Sequence, residues 1–153
     1  TLTTMSSSPL HGHWRLVGWT GTNESGVEIR HGGAEPRGDL IYLPSGRMAV
    51  QIQHDGRTRF GSRELDAGEP DLQAAAYRTY VAYAGTYSLP REGVVVHHLD
   101  TALHPDQLGM DKERRYALED GDPVFLTLET QRVRTEDGGE ASSLLRWRRH
   151  ERF

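Results

Sequence analysis

Short alternating segments, turn chemistry between them and a single helical stretch predict an all-β chain: eight to ten antiparallel strands closed into a barrel, with one helix over an end. The alternation is clear from His13 to Thr20, where Trp14, Leu16 and Gly18 oppose Arg15, Val17 and Trp19. Turn signals punctuate the chain at Asn23-Glu24-Ser25-Gly26, Pro44-Ser45-Gly46, Asp55-Gly56, Gly121-Asp122 and Asp137-Gly138-Gly139. Closure is expected because it removes the unpaired strand edges that so many short strands would otherwise present.

Taken in order, Leu40 to Leu43 is a strand and Arg47 to Gln53 its hairpin partner, with Met48, Val50 and Ile52 on one face. After Asp55-Gly56, Thr58 to Phe60 reads as a short returning strand. The helix is expected over Asp71 to Tyr83, since Pro70 is tolerated in a first turn, Ala74-Ala75-Ala76 favours helix and Gly85 stops it. Within it Tyr77, Tyr80, Val81 and Ala84 fall at i, i+3, i+4 and i+7, an aromatic stripe for an apolar surface. Further strands are expected at Thr86 to Leu89, Val94 to Leu103, Arg114 to Leu118, Val124 to Thr130 and Leu144 to Arg149.

With 153 residues the chain is one domain long, able to bury roughly 70% of its unfolded surface. Residues 10–153 read as the barrel and residues 1–9 as a flexible tail, with Met5 a candidate native start; there is no internal repeat or linker. Hydrophobic residues make up 35% and both charge signs are spread along the length, so the chain is globular and not disordered. A formal charge of −4 gives no reason to expect a polyanionic partner. Cysteine is absent, which excludes a disulfide framework. No apolar run reaches the length of a signal peptide in residues 1–13 or of a membrane span anywhere, so a cytoplasmic location is the default expectation. Every basic residue other than Lys112 is an arginine.

Chemistry concentrates in His97-His98-Leu99-Asp100, which follows Val94-Val95-Val96. Strand alternation puts His98 and Asp100 on one face and His97 on the other. The pair is either a buried histidine tied down by a carboxylate or an acid–base group: His98 transferring a proton, Asp100 fixing its tautomer. Arg114, Tyr116 and Leu118 share a face of another strand, so a guanidinium and a phenol are candidates to steady an anionic oxygen near His98. His98, Asp100, Arg114 and Tyr116 are therefore the candidate catalytic residues. The pattern leaves the inward face open, since Val94, Val96 and Ala102 beside His98 fit a cavity wall as well as Val95, Leu99 and Leu103 beside His97 fit a core. In that second arrangement His97 mainly serves stability.

Other classes fare worse. His11 and His13 have strand spacing for a shared ion, but no third or fourth ligand converges on them, so no metal or cofactor is expected. Arg146-Trp147-Arg148-Arg149 looks like a basic patch, yet alternation splits its arginines over two faces and Glu129, Glu136 and Glu140 lie near, which argues against nucleic acid. No glycine-rich phosphate loop and no G-x-S-x-G elbow occur.

Gly12-His13-Trp14, Trp14-Arg15-Leu16-Val17, Gly38-Asp39-Leu40-Ile41-Tyr42, Gly46-Arg47-Met48, Tyr83-Ala84-Gly85-Thr86-Tyr87, His97-His98-Leu99-Asp100, Arg114-Arg115-Tyr116 and Leu145-Arg146-Trp147, in this order, resemble the bacterial and fungal lipocalin-like domain family. The resemblance spans about Leu10 to Arg149. It implies a lipocalin-like barrel around a ligand cavity, membership of secondary-metabolite pathways, and kinship with barrels that act as cofactor-free cyclases or isomerases. It also implies an arginine, Arg148 or Arg149, packed over Trp14 at the closed end. Family members usually carry Glu where this chain has the shorter Asp100. On this basis Tyr42, Met48, Tyr83, Tyr87 and Trp147 are expected to line the cavity. Two functions follow: a cofactor-independent isomerase or cyclase acting on a mostly hydrophobic biosynthetic intermediate, or a non-catalytic carrier of a hydrophobic metabolite. The expected partners are that small molecule and, at most, a second copy of the chain in a homodimer, with neither nucleic acid nor membrane.

Overall fold

The computed structural model describes residues 8–23, 25–130, 133–134 and 140–153. Its strands are β1 (Gly12–Thr22), β2 (Glu28–Arg30), β3 (Arg37–Tyr42), β4 (Arg47–Gln53), β5 (Tyr80–Arg91), β6 (Val94–Ala102), β7 (Asp111–Glu119), β8 (Phe125–Thr130), β9 (Val133–Arg134) and β10 (Glu140–Glu151), with one helix, α1 (Pro70–Arg78). Strands β1, β3, β4, β5, β6, β7, β8 and β10 pair in that order, and β10 pairs back onto β1, closing an eight-stranded antiparallel barrel. The short β2 and β9 attach to β1 and β10. Of the expected turns, Glu24 and Asp137-Gly138-Gly139 lie outside the described residues.

The inner face follows the side-chain period of two: Leu40 and Tyr42 on β3, Met48, Val50 and Ile52 on β4, and Leu126 and Leu128 on β8 are all buried. One end is sealed. Leu10 and Trp14 are fully buried, the Trp14 indole N–H donates to the Leu10 carbonyl at 2.9 Å, and the Arg149 guanidinium lies 4.8 Å from the Trp14 ring centroid. Arg149 also donates to the Pro9 carbonyl at 2.9 Å, so Pro9, expected in the flexible tail, is tied to the barrel. A cation–π contact of this kind contributes about 0.5–2 kcal/mol.

Two local irregularities decide which side chains enter. On β1 the register slips between Leu16, opposite Trp147, and Gly18, opposite Arg146. The extra residue, Val17, is exposed, and Trp19 joins the core although simple alternation sets it on the face opposite Trp14. On β6 a similar slip sets Gly85 against Leu99 and Ala84 against Thr101, so Asp100 is the extra residue and both Asp100 and Thr101 face outward.

The helix is shorter than its periodicity predicts. It ends at Arg78, with the Thr79 hydroxyl and backbone N–H both bonded to the Ala75 and Ala76 carbonyls, and Tyr80 begins β5. The expected stripe of Tyr77, Tyr80, Val81 and Ala84 is therefore not helical beyond Tyr77. From Tyr80 to Tyr87 the aromatic and β-branched residues fit a pleated strand, which pairs with β4 from Tyr80 to Thr86 and with β6 from Tyr83 onward. Thr86 to Leu89 is the continuation of this strand. No α1 side chain is fully buried, so the helix, which lies between β4 and β5 in the chain, supplies no core. Thr58 to Phe60 forms no strand, because the chain leaving Asp55-Gly56 runs toward α1 and finds no free partner there. No helix among the described residues is long and apolar enough to cross a membrane.

Candidate functional site

Strand β6 carries the chemistry, and its parity, left open by the sequence pattern, puts His97 inside. Val95, His97 and Leu99 point inward, His97 with only 1% of its surface exposed, while His98 points out. The ambiguity of Val94-Val95-Val96 is settled by its neighbours: His97 lies between Tyr87 of β5 and Lys112 of β7, whereas His98 lies between Thr86 and Asp111.

This separates the four candidate catalytic residues. On the outside, His98 bonds Asp111 through Nδ1 at 2.7 Å and the Ser88 hydroxyl through Nε2 at 2.8 Å. Asp100, on the same outer face, pairs with the Arg47 guanidinium and accepts from the Thr101 hydroxyl. The two do not form the histidine–carboxylate pair expected from the sequence, and neither converges with Arg114 or Tyr116. Those two belong to the inner row of β7, Lys112, Arg114, Tyr116 and Leu118, all half-buried, while Arg115 faces solvent and pairs with Glu129 at 2.6 Å. His98→Ala should therefore cost less than about 1 kcal/mol of stability, as for other exposed polar pairs, and leave affinity for a molecule inside the barrel within about twofold. Parallel denaturation and ligand titrations of wild type and variant check this, and a large loss of affinity would contradict it.

The interior polar centre is instead His97. Its Nε2 is 2.6 Å from the Tyr42 hydroxyl and its Nδ1 2.7 Å from the Tyr83 hydroxyl. Burial, reinforced by the positive charges of Arg114 and Lys112, pushes its pKa down to about 3, so the ring is neutral at physiological pH. A neutral imidazole has one N–H and one lone pair, so one phenol donates to it and the other accepts from it. The accepting phenol keeps its own proton for a further acceptor. Burial raises both phenols: Tyr83 to about 12, an effect that Arg114 opposes, and Tyr42 well above the ordinary range, with Tyr83 and Tyr87 adding to it. Tyr87, also raised to about 12 by burial, donates to the Leu43 carbonyl at 3.1 Å.

The residues expected to line the cavity, Tyr42, Met48, Tyr83, Tyr87 and Trp147, are all buried members of the barrel core. Trp147 presents an indole N–H with no acceptor among the described residues. Strand alternation alone does not mark His97 and Lys112 as site residues. The spacing of Lys112, Arg114 and Tyr116 at i, i+2 and i+4 was the signal for Lys112; nothing in the sequence distinguished His97 from His98. Lys112 donates to the Gln107 side-chain carbonyl at 2.8 Å and stands 4.6 Å from the Tyr83 ring centroid; burial, then Arg114, lower its pKa to about 8. Ile41, Ala49, Ala82, Ala84 and Leu103, together with Tyr83, line an open apolar groove of about 500 Å³. Among the described residues no three His, Asp or Glu side chains converge as metal ligands.

Comparison with known proteins agrees with this architecture. Over 109 residues the chain is 28% identical to the 4'-hydroxy-3'-methoxypropiophenone carrier protein ppsC of Aspergillus oryzae, an alignment covering 67% of this chain and 96% of that protein. The family model described as lipocalin-like domain matches residues 11–150, from the sealed end through the last barrel strand. Matched along the whole of its barrel, the chain belongs to the lipocalin-like domain family.

Proposed function

We propose that the barrel holds a mostly apolar, oxygen-bearing small molecule in its interior and acts as its binding or carrier protein. The observation that carries this reading is the Tyr42–His97–Tyr83 chain, a few placed polar groups set in a wall of Leu, Val, Met and Trp side chains. Eight strands give an interior wide enough for one small ligand, and the half-buried inner row of β7 is where solvent reaches that wall. The Aspergillus oryzae relative, named as the carrier of an aromatic ketone, supports the same class of ligand.

Carriage is favoured over catalysis by the protonation states. A general acid or base works best with a pKa near the operating pH, yet His97 is held at about 3 and Tyr83 at about 12. Such a network recognises an oxygen without exchanging protons with it. Lys112, at about 8, is the one observation on the side of a cofactor-independent isomerase or cyclase. Under either reading the molecule belongs to secondary-metabolite biosynthesis in the cytoplasm.

Titration with the neutral fluorophore N-phenyl-1-naphthylamine tests the proposal. Saturable binding of one probe per chain, reversed by an aryl ketone, is the expected result. Tyr83→Phe should weaken the ketone about tenfold, the value of one buried hydrogen bond of roughly 1.4 kcal/mol. Absence of saturable binding would overturn the reading, because a barrel filled by its own side chains has no room for a carrier's cargo.

A further inference from the structure

We infer that the interior receives its ligand as an anion, a carboxylate or an ionised phenol whose oxygen lies between Lys112 and Arg114; this rests on the binding function proposed above. The two cations occupy successive inward positions of β7, opposite His97 and Val95 of β6. Both turn toward Tyr83: the Lys112 ammonium over its ring and the Arg114 guanidinium beside its hydroxyl. The hydrogen-bond acceptors they reach among the described residues are neutral: the Gln107 side-chain carbonyl at 2.8 Å for Lys112, and the Glu113 backbone carbonyl at 3.1 Å and the Tyr83 hydroxyl for Arg114.

The outer face of the same region is built differently. There Arg115 pairs with Glu129 at 2.6 Å, Arg91 with Glu113 at 2.6 Å and Arg146 with Glu119 at 3.0 Å. Carboxylates thus match the arginines that water already solvates, while among the described residues none lies within 4 Å of the two cations withdrawn from it. A cation removed from water is costly without a partner, and two on one wall raise each other's cost. The remaining ionisable groups facing them cannot supply the missing charge: His97 of β6 is neutral, and the phenols Tyr42 and Tyr83 keep their protons near neutral pH. The complementary charge is left to the ligand. A guanidinium offers paired donors that suit a carboxylate, the ammonium adds a point charge, and the Tyr83 ring adds an aromatic face.

Competition by a matched acid and ester tests this. With N-phenyl-1-naphthylamine bound at pH 7 and low salt, 1-naphthoate should displace it at about one tenth the concentration that methyl 1-naphthoate needs, although the ester is the more apolar of the two. Lys112→Met and Arg114→Met should each remove most of that preference, read as the ratio of acid to ester affinity in the same variant, while Lys112→Arg should retain it. Equal or tighter binding of the ester by the wild-type protein would overturn the inference and leave the binding function standing. Preference for the acid that survives both methionine variants would equally overturn the assignment to these residues. If the probe itself fails to saturate, the binding function falls and takes this inference with it.

Discussion

Lowering the pH from 6.5 to 4 should cost the folded barrel about 3 kcal/mol through His97 alone, at about 1.4 kcal/mol per pH unit. In the unfolded chain this imidazole titrates near its ordinary value of 6.5; in the barrel, burial against the positive charges of Arg114 and Lys112 holds it to about 3. Between those values the unfolded chain binds a proton that the native chain does not, so stability rises with pH through the window and levels off above it. Below about pH 3 both states are protonated and the loss is complete. The measurement is the urea midpoint as a function of pH for wild type and His97→Gln. At pH 7 the variant should be weaker by roughly 1–3 kcal/mol, because at least one of the Tyr42 and Tyr83 hydroxyls is left unpaired in the core. Toward pH 4 the gap should close, since only the wild type carries the titrating ring. Curves that stay parallel would show that His97 is not the buried neutral group described here.

The barrel itself was legible because closure depends on periodicity, and periodicity survives in residues such as Met48, Val50 and Ile52, whose alternation matches the observed burial. Less legible was anything decided by a partner strand. Tyr80 to Ala84 carry helical spacing and strand chemistry at once, and what tips the balance is the waiting edge of β4, which no local pattern records. The parity of β6 stayed open for a related reason. Three consecutive valines followed by two histidines read equally well with either face inward, and the choice falls to Tyr42 and Tyr83, whose hydroxyls reach His97 from other strands. His98 and Asp100 do share a face, as alternation requires, but it is the outer one, where Asp100 binds Arg47 and His98 binds Asp111. Arg114 and Tyr116 were placed together on one face by spacing alone, and that face is the inner one; Lys112 sits on it by the same arithmetic, marked further by being the chain's single lysine.

Gly85→Ala should destabilise the protein by about 3 kcal/mol, at the upper end of what one inserted methyl costs in a packed interior. A Cβ built at Gly85 would lie 1.8 Å from the His98 carbonyl oxygen and 3.1 Å from the Asp100 backbone nitrogen, so it meets backbone and not the yielding end of a side chain. Relief requires β5 and β6 to separate at the bulge, where Gly85 opposes Leu99 and Asp100 has no partner. Because the first carbon is already in conflict, Gly85→Val should be little worse than Gly85→Ala, unlike an ordinary core position, where damage grows with side-chain volume. Gly18→Ala serves as the control, since a Cβ there meets nothing within 4 Å; it should move the denaturation midpoint very little. The functional consequence follows from where the bulge lies. It lies between Leu99, which is inward with His97, and Thr101, which is outward with Asp100, so spreading these strands should also disturb the Tyr83–His97 contact and weaken interior binding along with stability. A Gly85→Ala protein with wild-type denaturation midpoint and unchanged probe affinity would mean that the close approach of β5 and β6 described here is not needed to shape the site.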